Sequence, residues 1–131
     1  MTYLIDTQVF LWFVENSPAL PSAIKDLIES DESEIQLSLI SIWEISIKTS
    51  IGKLRMTRRF EETLDVLNEN LIETLTLEFA HIHEVNKLPF HHKDPFDRLI
   101  AAQAIVENLD FISADPVFDK YFQNEKVKRI W

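Results

Sequence analysis

Four carboxylates occupy positions from which side chains far apart in sequence can meet. Asp6 follows the apolar run Tyr3-Leu4-Ile5, and Asp115 follows Phe111-Ile112-Ser113-Ala114. Glu44 stands behind Trp43 near the start of an apolar stretch, and Asp97 lies in the turn opened by Asp94-Pro95. Acids gathered in one pocket repel, and some would take up protons. A divalent cation removes that cost. Mg²⁺ and Mn²⁺ prefer oxygen ligands, and Mg²⁺ keeps several waters while binding a few carboxylates and a substrate phosphate. Such a site suits in-line hydrolysis of a phosphodiester, in which the cation activates water and shields phosphate charge.

Each acid also has a plainer use. Asp6 before Thr7 suits an N-cap, and Asp115 before Pro116 has the cap-then-Pro signature. Asp94-Pro95-Phe96-Asp97 reads as a cap, a proline at the first helical position and an acid that suits the helix dipole. Ser41-Ile42-Trp43-Glu44 has the form of a capping box, and Glu44 with Lys48 is a favourable i,i+4 pair. Capping is the commoner use of any one such acid. It does not explain why all four stand at the same kind of place.

The elements that would position them follow from apolar periodicity and breakers. Short apolar runs predict strands at Tyr3–Ile5, Ile35–Ser38, Ile72–Leu75, Asp110–Ser113 and Lys126–Ile130. Helices are predicted at Val9–Glu15, from Pro21 through Ile28, at Ile40–Ile51 closed by Gly52, and at Phe60–Leu67. Further helices are predicted at Leu77–Leu88 before Pro89, Pro95–Asn108 and Val117–Phe122. With one glycine in the chain, left-handed turns should be few. Strands alternating with helices imply a parallel sheet with helices on both faces. All strand carboxyl ends then lie on one edge, where open α/β folds bind ligands. Asp6 and Asp115 would share that edge.

The 131 residues fit one domain spanning 1–131, and 46% hydrophobic composition with nine Phe and three Trp is enough for a core. There is no cysteine, which excludes disulfides and thiolate metal sites and is compatible with a reducing compartment. No basic leader or membrane-length apolar run is visible, so a soluble, cytoplasmic protein is expected. The net charge of −9 argues against a generic nucleic-acid binder. Its distribution is uneven. Residues 1–47 carry eight acids and one base, residues 48–59 carry five bases and no acid, and residues 60–90 carry seven acids and one base. The basic window, Lys48, Lys53, Arg55, Arg58 and Arg59, is either a solvated face or a phosphate-contacting one. His91-His92-Lys93 and Arg98 form a smaller cationic group around Asp94 and Asp97.

Other motifs add little. His81 and His83, two residues apart on a helix, point away from each other and read as surface or packing residues. Trp12, Trp43 and Trp131 read as core or rim aromatics. One glycine excludes a phosphate-binding glycine loop, and no serine sits in a nucleophile elbow.

Taken in series, Leu4-Ile5-Asp6-Thr7, Ser41-Ile42-Trp43-Glu44-Ile45, Asp94-Pro95-Phe96-Asp97-Arg98-Leu99-Ile100-Ala101-Ala102 and Ser113-Ala114-Asp115-Pro116-Val117-Phe118 resemble the PIN-domain family. Within it they resemble VapC-type toxins of bacterial toxin–antitoxin pairs. The resemblance implies a Rossmann-like three-layer α/β/α sandwich and a Mg²⁺- or Mn²⁺-dependent endoribonuclease using one or two ions. The family's four acids map onto Asp6, Glu44, Asp97 and Asp115. Asp94 is then an assistant or only a cap, and Thr7 and Ser113 match small hydroxyl positions near the metal. It also implies a small antitoxin covering the active site, and a homodimer. Close relatives often carry His after the Asp-Thr pair, where this chain has Gln8, which cannot take a proton at neutral pH.

The expected activity is hydrolysis of single-stranded or loop RNA, with Lys48, Lys53, Arg55, Arg58, Arg59, His92 and Arg98 as backbone contacts that offset the global charge. Two other readings stay open. One is a metal-dependent phosphatase with Asp6 as nucleophile, although such enzymes usually need a second Asp where Gln8 stands. The other is an inactive binding module whose acidic edge docks a basic partner peptide.

Overall fold

The computed structural model describes residues 1–131. Five strands form one parallel sheet: β1 (Thr2–Ile5), β2 (Glu34–Ser38), β3 (Ile72–Leu75), β4 (Asp110–Ile112) and β5 (Arg129–Ile130), in the order β3-β2-β1-β4-β5. Seven helices connect them: α1 (Thr7–Val14), α2 (Ser22–Glu29), α3 (Leu39–Ser50), α4 (Thr63–Glu69), α5 (Phe79–Lys87), α6 (Pro95–Glu107) and α7 (Val117–Phe122).

Side-chain alternation along the strands builds two cores. Tyr3 and Ile5 of β1, Ile35 and Leu37 of β2, and Ile112 of β4 face one side, where they meet Phe10 of α1, Ile24 and Ile28 of α2 and Leu67 of α4. Leu4 and Phe111 point the other way, onto Ile100 and Ala101 of α6 and Phe118 and Phe122 of α7. This is the expected three-layer sandwich. The small residues Ala101, Ala102 and Ala104 are fully buried, which lets α6 lie close against its neighbours. After β1, β2 and β3, the chain returns to the other side of β1 to make β4. The switch point therefore lies between β1 and β4, and ligands bind outside the strand ends at such a point.

Local details depart from the sequence reading. Pro21 immediately precedes α2 rather than opening it. The predicted Phe60–Leu67 helix begins as a 3₁₀ turn at Phe60–Glu62. The last strand is only two residues long; before it, Lys128 O still accepts Phe111 N–H at 3.0 Å while Lys128 N–H turns to Asp110 Oδ1. Gly52 follows α3 with φ +73°, but Asn16, Leu71 and Asn108 also take positive φ. Left-handed turns are thus made without glycine. Asn tolerates this conformation well, whereas Leu71 carries a cost of roughly 1 kcal/mol. No helix is long and apolar enough to cross a membrane.

Candidate metal centre

The β1–β4 ladder sets the centre. Asp6 N–H donates to Ile112 O at 3.0 Å, continuing the pairing one residue past the strand and bringing Asp6 beside Ser113. Ser113 Oγ, fully buried, donates to Asp6 Oδ2 at 2.6 Å. Asp6 makes no side-chain cap bond to α1, so capping does not account for it. Asp115 donates its N–H to Ser113 Oγ (3.1 Å) and accepts Val117 N–H at Oδ1 (3.0 Å). One oxygen of Asp115 therefore has a turn-forming role and the other is free of it.

Glu44 sits deeper. Helix α3 is capped by Ser38, whose Oγ accepts Ile40 N–H, so the capping box expected from Ser41 and Glu44 does not form. Ser41 Oγ instead accepts the hydroxyl of Thr7 at 2.7 Å in a buried contact that ties α3 to the start of α1. Thr7 acts on α3 rather than on an acid. Glu44 is 5% exposed. Its Oε2 accepts Lys48 Nζ at 2.9 Å, and its Oε1 is buried with no partner at all. Such an atom costs about 1–3 kcal/mol, more when charged, and calls for an explanation.

Asp94 is the cap of α6, accepting Phe96 and Asp97 N–H at Oδ1 (2.8 and 3.2 Å). Asp97 is thereby released from capping. Its Oδ2 lies 3.0 Å from His92 Nε2, which is 3.8 Å from Asp115 Oδ2. Asp6, Glu44, Asp97 and Asp115 line one cleft of about 580 Å³, together with Gln8 and Asp94.

The electrostatics follow. Burial pushes the Asp97 carboxyl up, and the charges of Asp6, Asp94, Glu44 and Asp115 push it further, to about 8. Asp6 is also raised, chiefly by burial and against the bond from Ser113, with Glu44 and Asp115 adding to the rise. A hydrogen bond to Glu44 raises the Lys48 ammonium against the effect of its burial, with the charges of Asp94 and Asp97 adding to the rise. One lysine does not neutralise this group. The orphaned Glu44 oxygen and the raised acids fit a divalent cation bound by oxygen ligands.

The basic window divides. Lys48 and Lys53 line the acidic cleft. Arg58 and Arg59 line a separate cavity of about 550 Å³ with Phe13, Met56 and Val66, and Arg58 is paired with Glu69 at 2.6 Å. Arg55 is exposed. Arg98 corrects the expectation of a backbone contact. It is buried, and its guanidinium donates to Pro89 O (2.7 Å), Val85 O (3.2 Å) and Leu88 O (3.2 Å). It fastens the loop that carries His92. Tyr121 assists, its hydroxyl accepting His92 N–H at 2.8 Å. Nothing in the spacing of Tyr121 and His92, 29 residues apart, signals that bond.

His81 is fully buried, its Nδ1 accepting Glu78 N–H (3.0 Å) and its Nε2 meeting Glu107 Oε2 (2.9 Å), which makes it a packing residue as expected. Trp43 is 57% exposed and meets Phe96 edge-on at 5.2 Å, which places it on the rim.

Comparison with known proteins identifies the family. The family model described as the PIN domain matches residues 3–122. The chain belongs to the PIN-domain family. Among solved structures, this PIN domain is similar to VapBC2 from Rickettsia felis bound to a DNA fragment from its promoter. The TM-score is 0.72 at 17% identity, covering 99% of this chain and 98% of that one. It is likewise similar to VapBC-1 from nontypeable Haemophilus influenzae (TM-score 0.71, 17% identity, 99% and 97% covered). A toxin–antitoxin complex from Klebsiella pneumoniae aligns with TM-score 0.60 at 17% identity over 93% and 91% of the two chains. At such identities the likeness is one of fold. A search among curated proteins finds no match.

Proposed function

We propose that this PIN domain is a cytoplasmic Mg²⁺- or Mn²⁺-dependent endoribonuclease, the VapC-like toxin of a toxin–antitoxin pair. The observation that carries the reading is Glu44 Oε1, a buried and unpartnered carboxylate oxygen in a cleft shared with Asp6, Asp97 and Asp115. These four acids are the residues that would hold the cation. When bound, the cation would supply a Lewis acid that polarises phosphate and makes water a better nucleophile.

The chain's own residues then have distinct tasks. Ser113 fixes Asp6 by its 2.6 Å bond. Asp94 orients the first turn of α6 and so Asp97. Lys53 stands at the cleft to meet backbone phosphate, and Lys48 reaches it while paired to Glu44. The structures similar to this chain include a toxin–antitoxin complex, which supports a small antitoxin as the partner covering the cleft. Leu39 and Trp43 on α3, with Phe79 and Ile82 on α5, are exposed apolar residues. They support pairing with a second copy, which light scattering would read as a dimer mass.

The deciding experiment is cleavage of single-stranded RNA with Mg²⁺ or Mn²⁺, comparing wild type with Asp6→Asn and Asp97→Asn. Cleavage that both variants abolish is expected. Undiminished cleavage in both would overturn the assignment.

A further inference from the structure

The loop between α5 and α6 presents one imidazole to the acids. Its course is fixed at several points. Arg98 holds the carbonyls of Val85, Leu88 and Pro89 and stacks under the Phe90 ring at 4.0 Å. The Tyr121 hydroxyl holds His92 N–H, and the His91 ring packs edge-on against Tyr121 at 5.1 Å. Burying an arginine to tie down three carbonyls is a costly way to place a loop that has no task. His92 is the side chain that this arrangement delivers to Asp97 and Asp115.

The ring's two nitrogens are not equivalent. Asp94 N–H donates to His92 Nδ1 at 3.1 Å, so Nδ1 carries the lone pair and the proton of the neutral ring sits on Nε2. Binding a cation through Nε2 would require the opposite tautomer, with an Nδ1 proton facing the Asp94 N–H. The backbone bond therefore disfavours His92 as a ligand even though its Nε2 and oxygens of Asp97 and Asp115 lie within 4.8 Å of one another. What remains is a donor that meets Asp97 Oδ2 at 3.0 Å; a cation taking that oxygen would free Nε2–H for the phosphate the cation draws in.

We propose that His92 is a catalytic residue whose Nε2–H donates to a non-bridging oxygen of the scissile phosphate, stabilising the negative charge that builds there. The inference rests on the phosphodiester reading above. It needs no proton transfer, because the donor keeps its proton throughout. Preorganised donors of this kind typically contribute about 10²–10³-fold to rate.

Three measurements test it. ¹⁵N NMR of the histidine rings, with His92 assigned by its loss in His92→Gln, should show the Nε2–H tautomer; the Nδ1–H tautomer overturns the proposal. In RNA cleavage, His92→Ala should lose about 10²-fold in kcat with a small change in KM, and His92→Gln, which keeps an amide donor, should recover part of it. Calorimetric titration of Mn²⁺ should give the same affinity in wild type and both variants. A wild-type rate in His92→Ala, or a tenfold loss of Mn²⁺ affinity, overturns the proposal. If wild type itself cleaves no RNA, the ribonuclease reading fails separately. The donor is then judged by the tautomer and by ³¹P NMR of inorganic phosphate with the Mg²⁺-loaded protein. Tenfold weaker binding in His92→Ala supports it and equal binding overturns it.

Discussion

Two places in this molecule group a histidine with two carboxylates: His92 with Asp97 and Asp115, and His81 with Glu78 and Glu107. By composition they are alike. They differ in how their polar atoms are satisfied. His81 is fully buried and spends both ring nitrogens on neighbours, on Glu78 N–H and on Glu107 Oε2. It fastens the start of α5 to the end of α6, and the two glutamates beside it are exposed, so no buried oxygen of this group lacks a partner. Around His92, three further acids share the cleft of Asp97 and Asp115, namely Asp6, Glu44 and Asp94; Asp97 is driven up to about 8, and Glu44 keeps an oxygen with no partner. A polar cluster that closes on itself belongs to the fold, and one that is left open under strain points to a ligand.

The largest expected effect separates the two clusters by activity. Asp6→Asn and Asp97→Asn should each reduce RNA cleavage by about 10²-fold or more, and Glu107→Gln should leave it within about twofold. Equal losses from all three would erase the distinction. Stability should reverse the order. His81→Ala removes a fully buried ring and its two hydrogen bonds, so it should cost about 2–3 kcal/mol and lower Tm by roughly 10 °C while leaving Mn²⁺ affinity unchanged. Loss of Mn²⁺ binding in His81→Ala that still folds would break the comparison.

A pH series sharpens it. Asp97 holds its proton in the metal-free fold up to about pH 8, whereas in the unfolded chain the group ionises near its ordinary value of 3.8. Its contribution to stability is therefore full below about 4 and is lost as pH rises through about 8. The Tm of metal-free wild type should fall relative to Asp97→Asn between pH 5 and 8, and Mn²⁺ should restore it. A constant difference between the two proteins would contradict the shift. The smallest effects concern the bases. Lys53→Ala should weaken RNA binding and lower the slope of log affinity against log salt by about 0.7, while Arg59→Ala, outside the cleft, should do neither.

The sheet and its strand ends were legible because they depend on short-range signals. Tyr3–Ile5 and Ile72–Leu75 are apolar runs next to breakers, and placing Asp6 and Asp115 on one edge needs only parallel strands. The acids on helices were harder. Ser41 to Glu44 has the spacing of a capping box, but the helix begins two residues before Ser41, under Ser38, and turns Glu44 inward. The boundary itself, Ser38 ending β2 and the helix starting at once, is legible in the apolar runs; what the local pattern does not show is that Ser41 is spent on Thr7. Arg98 departs from its expected role for a related reason. Its charge suggests solvent and phosphate, whereas its neighbours are carbonyls from the end of α5 and the loop after it, nine to thirteen residues earlier. The hydroxyl pair Thr7–Ser41 and the Tyr121–His92 bond join residues 34 and 29 positions apart, and only the folded chain reveals them.

The central claim is that the open cluster, and not the closed one, binds a divalent cation. Calorimetric titration of Mn²⁺ into wild type, Glu44→Gln and Glu107→Gln tests it directly. Saturable binding in wild type and in Glu107→Gln, weakened at least tenfold in Glu44→Gln, is the predicted result. Absence of binding in wild type, or binding that Glu107→Gln removes and Glu44→Gln leaves intact, would contradict it.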